Sequence, residues 1–96
     1  MIVYENDEIV AFRDIAPKAP VHIIVMPRKH YTVLHECESS DDGILGRLLL
    51  AASEVAKKEK LTETGYRIVL NGGASQAIFH LHLHLLGGRE FQWPPG

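Results

Sequence analysis

Hydrophobic residues occur in short runs over most of the chain, and one longer stretch has a different spacing. The short runs are rich in β-branched residues and are bounded by polar turns, glycines or prolines, which predicts β-strands. Five predicted strands cover residues 2–5, 8–12, 21–26, 66–70 and 77–86. The first two strands are expected to form one hairpin, and the last two a second and longer antiparallel hairpin.

The longer stretch, residues 41–60, predicts the one main helix. Apolar residues such as Ile44, Leu48 and Val55 recur there at spacings of three and four, the period of an amphipathic helix. Aspartates open the stretch and lysines close it, which suits the helix dipole. Five strands and one helix without regular alternation predict an α+β fold, in which the helix covers one face of an antiparallel sheet.

Three histidines, His80, His82 and His84, occupy every second position of the last predicted strand. Alternate side chains of a strand point to the same face, about 6.7 Å apart. The spacing therefore predicts one row of imidazoles that share a small site. The opposite face of this strand would carry four apolar side chains, those of Phe79, Leu81, Leu83 and Leu85.

Length and composition limit the possible functions. A chain of 96 residues with 46% hydrophobic and 23% charged residues predicts a single globular domain. The net charge of −2 argues against general nucleic-acid binding, but a pocket for one nucleotide needs no basic surface. No apolar run is long enough for a membrane span, so no membrane partner is expected. The single cysteine, Cys37, excludes an internal disulfide and favours a reducing, cytoplasmic location.

Grouped imidazoles allow three interpretations. A purely structural row is disfavoured, because Thr or Val would suit a strand better. Three histidines with a water form a catalytic zinc set, although no carboxylate is placed near the row as a general base. Alternatively, the middle residue His82 attacks phosphorus or an acyl carbon, and a neighbouring imidazole helps the leaving group. His22, the only polar residue of its predicted strand, would then orient the others.

Two further features are candidates for ligand binding. The loop Asn71–Gln76 is rich in glycine and amide side chains, and its backbone N–H groups could face an anion. Asp14 follows the second strand and could accept hydrogen bonds from a ribose diol. Each feature taken alone is more typical of an ordinary loop or turn, and the neighbouring histidines are what favour a phosphate site.

These residues together resemble the histidine triad (HIT) superfamily. The segment 80–86 matches the family motif, in which three histidines alternate with apolar residues. The closing segment 93–96, Trp-Pro-Pro-Gly, is similar to that of the Hint branch, the histidine triad nucleotide-binding proteins. Similar flanking segments cover residues 11–15, 17–22, 65–67 and 85–89.

The resemblance implies one HIT domain over residues 1–96, a five-stranded antiparallel sheet with one main helix. It also implies a homodimer with a continuous ten-stranded sheet. The implied activity is hydrolysis of adenosine 5′-phosphoramidates or aminoacyl-adenylates to AMP, with a purine nucleotide as ligand and no metal or other cofactor. The alternatives are a dinucleoside polyphosphate hydrolase of the same superfamily and a nucleotide-binding interaction protein with little turnover.

Carried over position by position, the resemblance implies that His82 is the nucleophile, with a nucleotidyl-imidazole intermediate. His84 would contact the phosphate and help the leaving amine, while His22 and His80 would hold the imidazole network. The remaining positions would bind the nucleotide: Phe12 and Ile15 the base, Asp14 the ribose, and Asn71, Ser75, Gln76 and Ala77 the phosphate, with Trp93 near the partner subunit's site.

The chain also departs from the family pattern. Ala77 stands where the family usually has a serine that contacts the phosphate, so one hydrogen bond is expected to be lost. The loop 71–76 is shorter than the common form. The family's N-terminal segment, which holds zinc through cysteines in some members, is expected to be missing.

Overall fold

Five strands and one helix form the protein in a computed structural model that describes residues 1–96. The helix, α1, spans Asp42–Lys58. Short 3-10 turns occur at Leu34–Glu36, Ser39–Asp41 and Gly73–Ser75. The strands are Ile2–Glu5 (β1), Ile9–Arg13 (β2), Val21–Pro27 (β3), Tyr66–Val69 (β4) and Leu83–Gly87 (β5).

All neighbouring strands run antiparallel in the order β1-β2-β3-β5-β4. The predicted α+β class, the five strands and the single main helix are therefore confirmed. β5 lies between β3 and β4, so its side chains have neighbours on both sides. One row of paired residues crosses four strands, from Phe12 through Ile24 and His84 to Val69.

The helix α1 packs against β3 and β5 on one face of the sheet. Ile23 of β3 lies opposite Leu85 of β5, and both side chains are fully buried. Leu48 and Val55 of α1 complete this core, and burial of each such side chain contributes about 1.5–3 kcal/mol. Because strand side chains alternate, the residues next to Ile23 and Leu85 point to the face that α1 does not cover.

The predicted strand 77–86 is wrong in its first half, because β5 begins only at Leu83. β4 ends at Val69, which pairs with His84, so the chain before β5 has no partner strand on that side. The backbone N–H of Leu81 instead donates to the carbonyl of Tyr31 at 2.6 Å. The second hairpin is consequently shorter than predicted.

Phe79 does not join the apolar face, in contrast to the prediction, because it precedes β5 and is 65% exposed. Leu81 is buried, as are Leu83 and Leu85 of β5. The helix ends earlier than predicted because Lys60 has a left-handed φ of 61°. No helix has the length and apolar character needed to cross a membrane.

Candidate active site

Strands β3 and β5 bring two histidines together on the face that α1 leaves open. Nε2 of His22 lies 2.9 Å from Nδ1 of His84. The ring of His82, just before β5, lies 4.8 Å from that of His84 and meets it edge-on. The expected meeting of these three imidazoles is therefore found, although His22 and His84 are far apart in the sequence.

Hydrogen bonds select one tautomer for His22 and His84. The backbone N–H of Lys18 donates to Nδ1 of His22 at 3.0 Å, so this nitrogen carries no proton. The proton of neutral His22 is then on Nε2, which donates to Nδ1 of His84. Neutral His84 in turn carries its proton on Nε2, and this N–H remains as a donor.

His82 has the opposite tautomer. Its Nδ1 lies 2.7 Å from the backbone carbonyl of His80. A carbonyl oxygen only accepts hydrogen bonds, so Nδ1 carries the proton and donates it. Neutral His82 therefore has a free electron pair on Nε2, the atom from which an imidazole attacks as a nucleophile. The ring is 4% exposed, which restricts its movement.

His80 does not belong to a row with the other two triad histidines, in contrast to the prediction. It lies before β5, where side chains do not follow strand alternation. Its Nε2 donates to the carbonyl of Pro27 at 2.9 Å, and its ring packs against His30 with centroids 4.9 Å apart. The contribution of His80 to the site is its backbone oxygen. His30 has no motif spacing in the sequence, so sequence reasoning missed it.

Burial lowers the pKa of both His22 and His84 below the usual value of 6.5. The neighbouring imidazoles of His82 and His22 lower the pKa of His84 further, whereas the carboxylate of Asp14 opposes the shift. An Asp14 oxygen lies 3.5 Å from Nε2 of His22. Both rings are therefore neutral near pH 7, as the tautomer assignment requires.

Two adjacent cavities open beside these histidines and share Asp14, Ala77 and His84. The first has a volume of about 350 Å³ and also contains Asn71 and His22. The second has a volume of about 310 Å³ and contains His82. Its walls are mainly apolar, formed by Met1, Phe12, Ile15, Ile24 and Ile78. The first cavity could thus hold a polar group of a ligand, and the second a flat apolar group of the same ligand. The two cavities meet at His84.

Five of the eight predicted nucleotide-binding residues line these cavities: Phe12, Asp14, Ile15, Asn71 and Ala77. Three do not. Ser75 is exposed in a 3-10 turn, and Gln76 donates from Nε2 to the carbonyl of Thr32 at 2.8 Å. Trp93 is 82% exposed and lies by Arg67 of the edge strand β4, in a cavity whose lining contains no histidine.

A metal site is the main alternative use of these groups, because Asp14, His22 and His84 each offer one ligand atom within 4.8 Å of the others. Two tetrahedral ligands of one zinc ion would be about 3.3 Å apart. The facing nitrogens of His22 and His84 are only 2.9 Å apart, and the tautomers give them one shared proton. The geometry favours a hydrogen bond between the two rings over a shared metal ion.

A larger cleft of about 540 Å³ lies at the amino end of α1, away from the histidines. Its lining is polar and contains carboxylates and cationic side chains but no histidine. Arg47 there donates to both carboxylate oxygens of Glu8, at 2.8 and 2.9 Å. This arginine is already neutralised by an ion pair and the cleft offers no imidazole, so the smaller cavities beside the histidines are the better candidate for chemistry.

The chain is similar to known proteins over almost its whole length. The family model for the HIT domain matches residues 1–91. The Adenylylsulfatase HINT1 of Arabidopsis thaliana is 50% identical, over 99% of this chain and 67% of that protein. The 14 kDa zinc-binding protein of Brassica juncea is also 50% identical, over 99% of this chain and 87% of its own length. The crystal structure of a HIT family hydrolase from Legionella pneumophila superposes with a TM-score of 0.96 at 43% identity, over 99% of this chain and 87% of that one.

Proposed function

The chain belongs to the HIT family, and we propose that it hydrolyses adenosine 5′-phosphoramidates and related adenylates to AMP through a covalent intermediate on His82. One observation carries this proposal: His82, whose Nε2 electron pair is free, packs edge-on against His84, whose Nε2–H is a free donor, and both rings line the same cavity. The 50% identity to a protein named Adenylylsulfatase HINT1 supports an adenylyl substrate of the Hint type.

The reaction proceeds in two displacements at the α-phosphorus. In the first, the Nε2 electron pair of His82 forms a bond to phosphorus while the phosphorus–nitrogen bond breaks, and the amine leaves with a proton taken up from solvent. The carbonyl of His80 accepts from Nδ1–H and stabilises the positive charge on the ring. In the second, water attacks phosphorus, the bond to Nε2 breaks, and the proton returns to solvent.

His84 acts beside this nucleophile as a hydrogen-bond donor. Its Nε2–H donates to the group that leaves phosphorus, so negative charge on that group is stabilised as the bond breaks. The bond from His22 keeps the proton of His84 on Nε2. A protonated His84 would repel the cationic ring of His82, and its lowered pKa avoids this at pH 7.

The two cavities divide the nucleotide between them. The apolar cavity, with Phe12 and Ile15 at its rim, accepts the purine ring. Asp14 lies between the cavities and accepts hydrogen bonds from the ribose hydroxyls, although one of its oxygens already accepts the N–H of Ala16. Asn71 donates its side-chain amide to the phosphate. Ser75 and Gln76 have no part in this arrangement.

A homodimer is part of the same proposal. β4 is an edge strand of the sheet, and edge strands have unpaired backbone groups that can pair with a second copy. Pairing two such strands would produce the ten-stranded sheet and would bring Trp93, now 82% exposed, toward the other subunit. Sedimentation as a dimer supports this arrangement, and sedimentation only as a monomer at micromolar concentration rejects it.

A nucleotide-binding protein with little turnover is the second candidate. It is favoured by Ala77, whose methyl group lines both cavities where the family's serine would donate to phosphate. One missing hydrogen bond of this kind costs about 1 kcal/mol, which lowers a rate several-fold but does not abolish it. Nucleotide binding without measurable hydrolysis by the unchanged protein would establish this candidate instead.

The decisive experiment is mass spectrometry of protein quenched during turnover of adenosine 5′-phosphoramidate, with adenylyl sulfate and a dinucleoside polyphosphate as further substrates. We expect an adenylyl group on His82. His82→Asn should abolish hydrolysis and retain AMP binding, whereas His35→Asn, at an exposed histidine, should change neither. Chelator should leave activity intact. Unchanged turnover by His82→Asn refutes the nucleophile, and loss of activity with chelator supports zinc.

A further inference from the structure

Two segments that are joined to β3 and β5 contact each other at four points. They are residues 27–32, which begin at the last residue of β3, and residues 76–81, which precede β5; we refer to these contacts as the clasp. Three involve a side chain and one is between backbone groups. The contacts are Gln76 Nε2 to the Thr32 carbonyl at 2.8 Å, His30 Nε2 to the Phe79 carbonyl at 3.0 Å, His80 Nε2 to the Pro27 carbonyl at 2.9 Å, and the Leu81 N–H to the Tyr31 carbonyl at 2.6 Å.

The clasp replaces the strand pairing that this part of the chain lacks. Residues 77–82 are outside any strand, so no sheet ladder fixes the orientation of their peptide groups. The peptide group between His80 and Leu81 is nevertheless held at its N–H end by Tyr31. Its C=O end is the acceptor for Nδ1 of His82. The orientation of this one peptide group therefore decides which tautomer His82 adopts.

His30 fixes the preceding peptide group. Its Nε2–H donates to the carbonyl of Phe79, and its ring packs edge-on against the ring of His80. Two consecutive peptide groups before His82 are thus hydrogen-bonded to residues of the segment 27–32. The side chain of His30 is the only side-chain donor that this segment contributes to the clasp. Without His30, the carbonyl of Phe79 would have no protein partner, and the next peptide group could rotate more freely.

We propose that His30 is a positioning residue for the reaction, acting through the backbone of Phe79 and His80 to keep Nδ1 of His82 protonated and Nε2 free. The proposal rests on the proposed function, because it assigns His30 to the orientation of that nucleophile. His30 makes no contact with the cavities, so its effect is on the chemical step and leaves nucleotide binding unchanged.

The test uses single-turnover adenylylation of His82 in variants of His30. His30→Ala should slow adenylylation by about tenfold, as expected when a reacting group is less well oriented. The affinity for AMP should not change. His30→Gln should restore most of the rate, because glutamine Nε2 lies the same number of bonds from Cα and keeps the donor to Phe79. His30→Phe keeps a ring but no donor, and should be as slow as His30→Ala.

A second readout reports on the tautomer directly and needs no substrate. The ¹⁵N chemical shifts of the His82 ring distinguish a fixed Nδ1–H from a mixture of tautomers. We expect the fixed form in the unchanged protein and in His30→Gln, and a mixture in His30→Ala. His35→Ala, which removes an exposed histidine that makes no side-chain hydrogen bond, is the matched control and should change neither readout.

Three results would overturn the role of His30: adenylylation by His30→Ala at the unchanged rate, no recovery in His30→Gln, or a fixed His82 tautomer in His30→Ala. If the unchanged protein does not hydrolyse adenylates at all, the proposed function fails, and the ¹⁵N shifts still decide whether His30 sets the tautomer. If His30→Ala does not fold, the comparison of His30→Gln with His30→Phe decides the same question.

Discussion

Replacement of His22 by alanine would remove the buried centre of the hydrogen-bond network. The side chain is 4% exposed and makes two hydrogen bonds, from Lys18 N–H and to Nδ1 of His84. Each such bond contributes about 1 kcal/mol, and the space left by the ring adds a cost of similar size. We therefore expect the free energy of unfolding to fall by about 2–4 kcal/mol, which a domain of ordinary stability survives.

The same replacement should slow hydrolysis through His84. Without the donor from His22, neutral His84 can carry its proton on either nitrogen, and the tautomer with Nε2–H is no longer favoured. Loss of a bias of about 1 kcal/mol changes the ratio of the two tautomers by a factor of about five, which lowers the fraction with Nε2–H from about 85% to about 50%, so the rate should fall about two-fold. Nucleotide affinity should change less, because the apolar cavity does not include His22.

Two further variants separate stability from rate. Asparagine at position 22 can still accept the N–H of Lys18 through its short side chain, but it does not reach His84. His22→Asn should therefore regain about 1 kcal/mol of stability relative to His22→Ala and remain slow. His22→Gln can reach His84 with an amide N–H and should regain rate. Urea unfolding measures the stability, and phosphoramidate hydrolysis measures the rate. An unchanged unfolding midpoint and an unchanged rate in His22→Ala would refute the role assigned to the hydrogen bond between His22 and His84.

Two other predictions concern stability. Because burial lowers the pKa of folded His22 and His84 below 6.5, the unfolded chain binds more protons near and below that pH. The free energy of unfolding should therefore be greatest above about pH 7 and decrease as the pH falls through 6.5. The decrease is at most about 1.4 kcal/mol per pH unit for each histidine. Urea unfolding that gives the same free energy at every pH between about 5 and 7 contradicts this. At Gly87, a Cβ would lie 2.6 Å from both methyl groups of buried Leu61, so Gly87→Ala should destabilise by about 1–3 kcal/mol. At Gly46 on α1, an added Cβ would have no atom within 4 Å, so Gly46→Ala should instead stabilise the protein by up to about 1 kcal/mol. Equal urea midpoints for the two variants would show that Leu61 moves away from residue 87 without a cost in stability.

Local periodicity was sufficient to predict most of the architecture. The three-and-four spacing of apolar residues in 41–60 identified α1, whose observed bounds are Asp42–Lys58. Alternating and β-branched runs identified all five strands, because each pattern reflects which face of that segment is buried. The proximity of His82 to His84 also followed from sequence, since residues two apart are close in any extended chain.

The relation of these residues to the rest of the chain was decided by the tertiary structure. Alternation predicted a strand from residue 77, but a strand needs a partner, and β4 ends too early to supply one for the residues before Leu83. Those residues bond instead to the turn 27–32, which turns His80 away from the row and places His30 beside it. Likewise, the contact of His22 with His84 exists only because β3 and β5 are neighbours in the sheet. The sequence alone tells which side chains are available for catalysis. Which ring nitrogen of each histidine carries the proton depends on hydrogen-bond partners that folding brings from other parts of the chain.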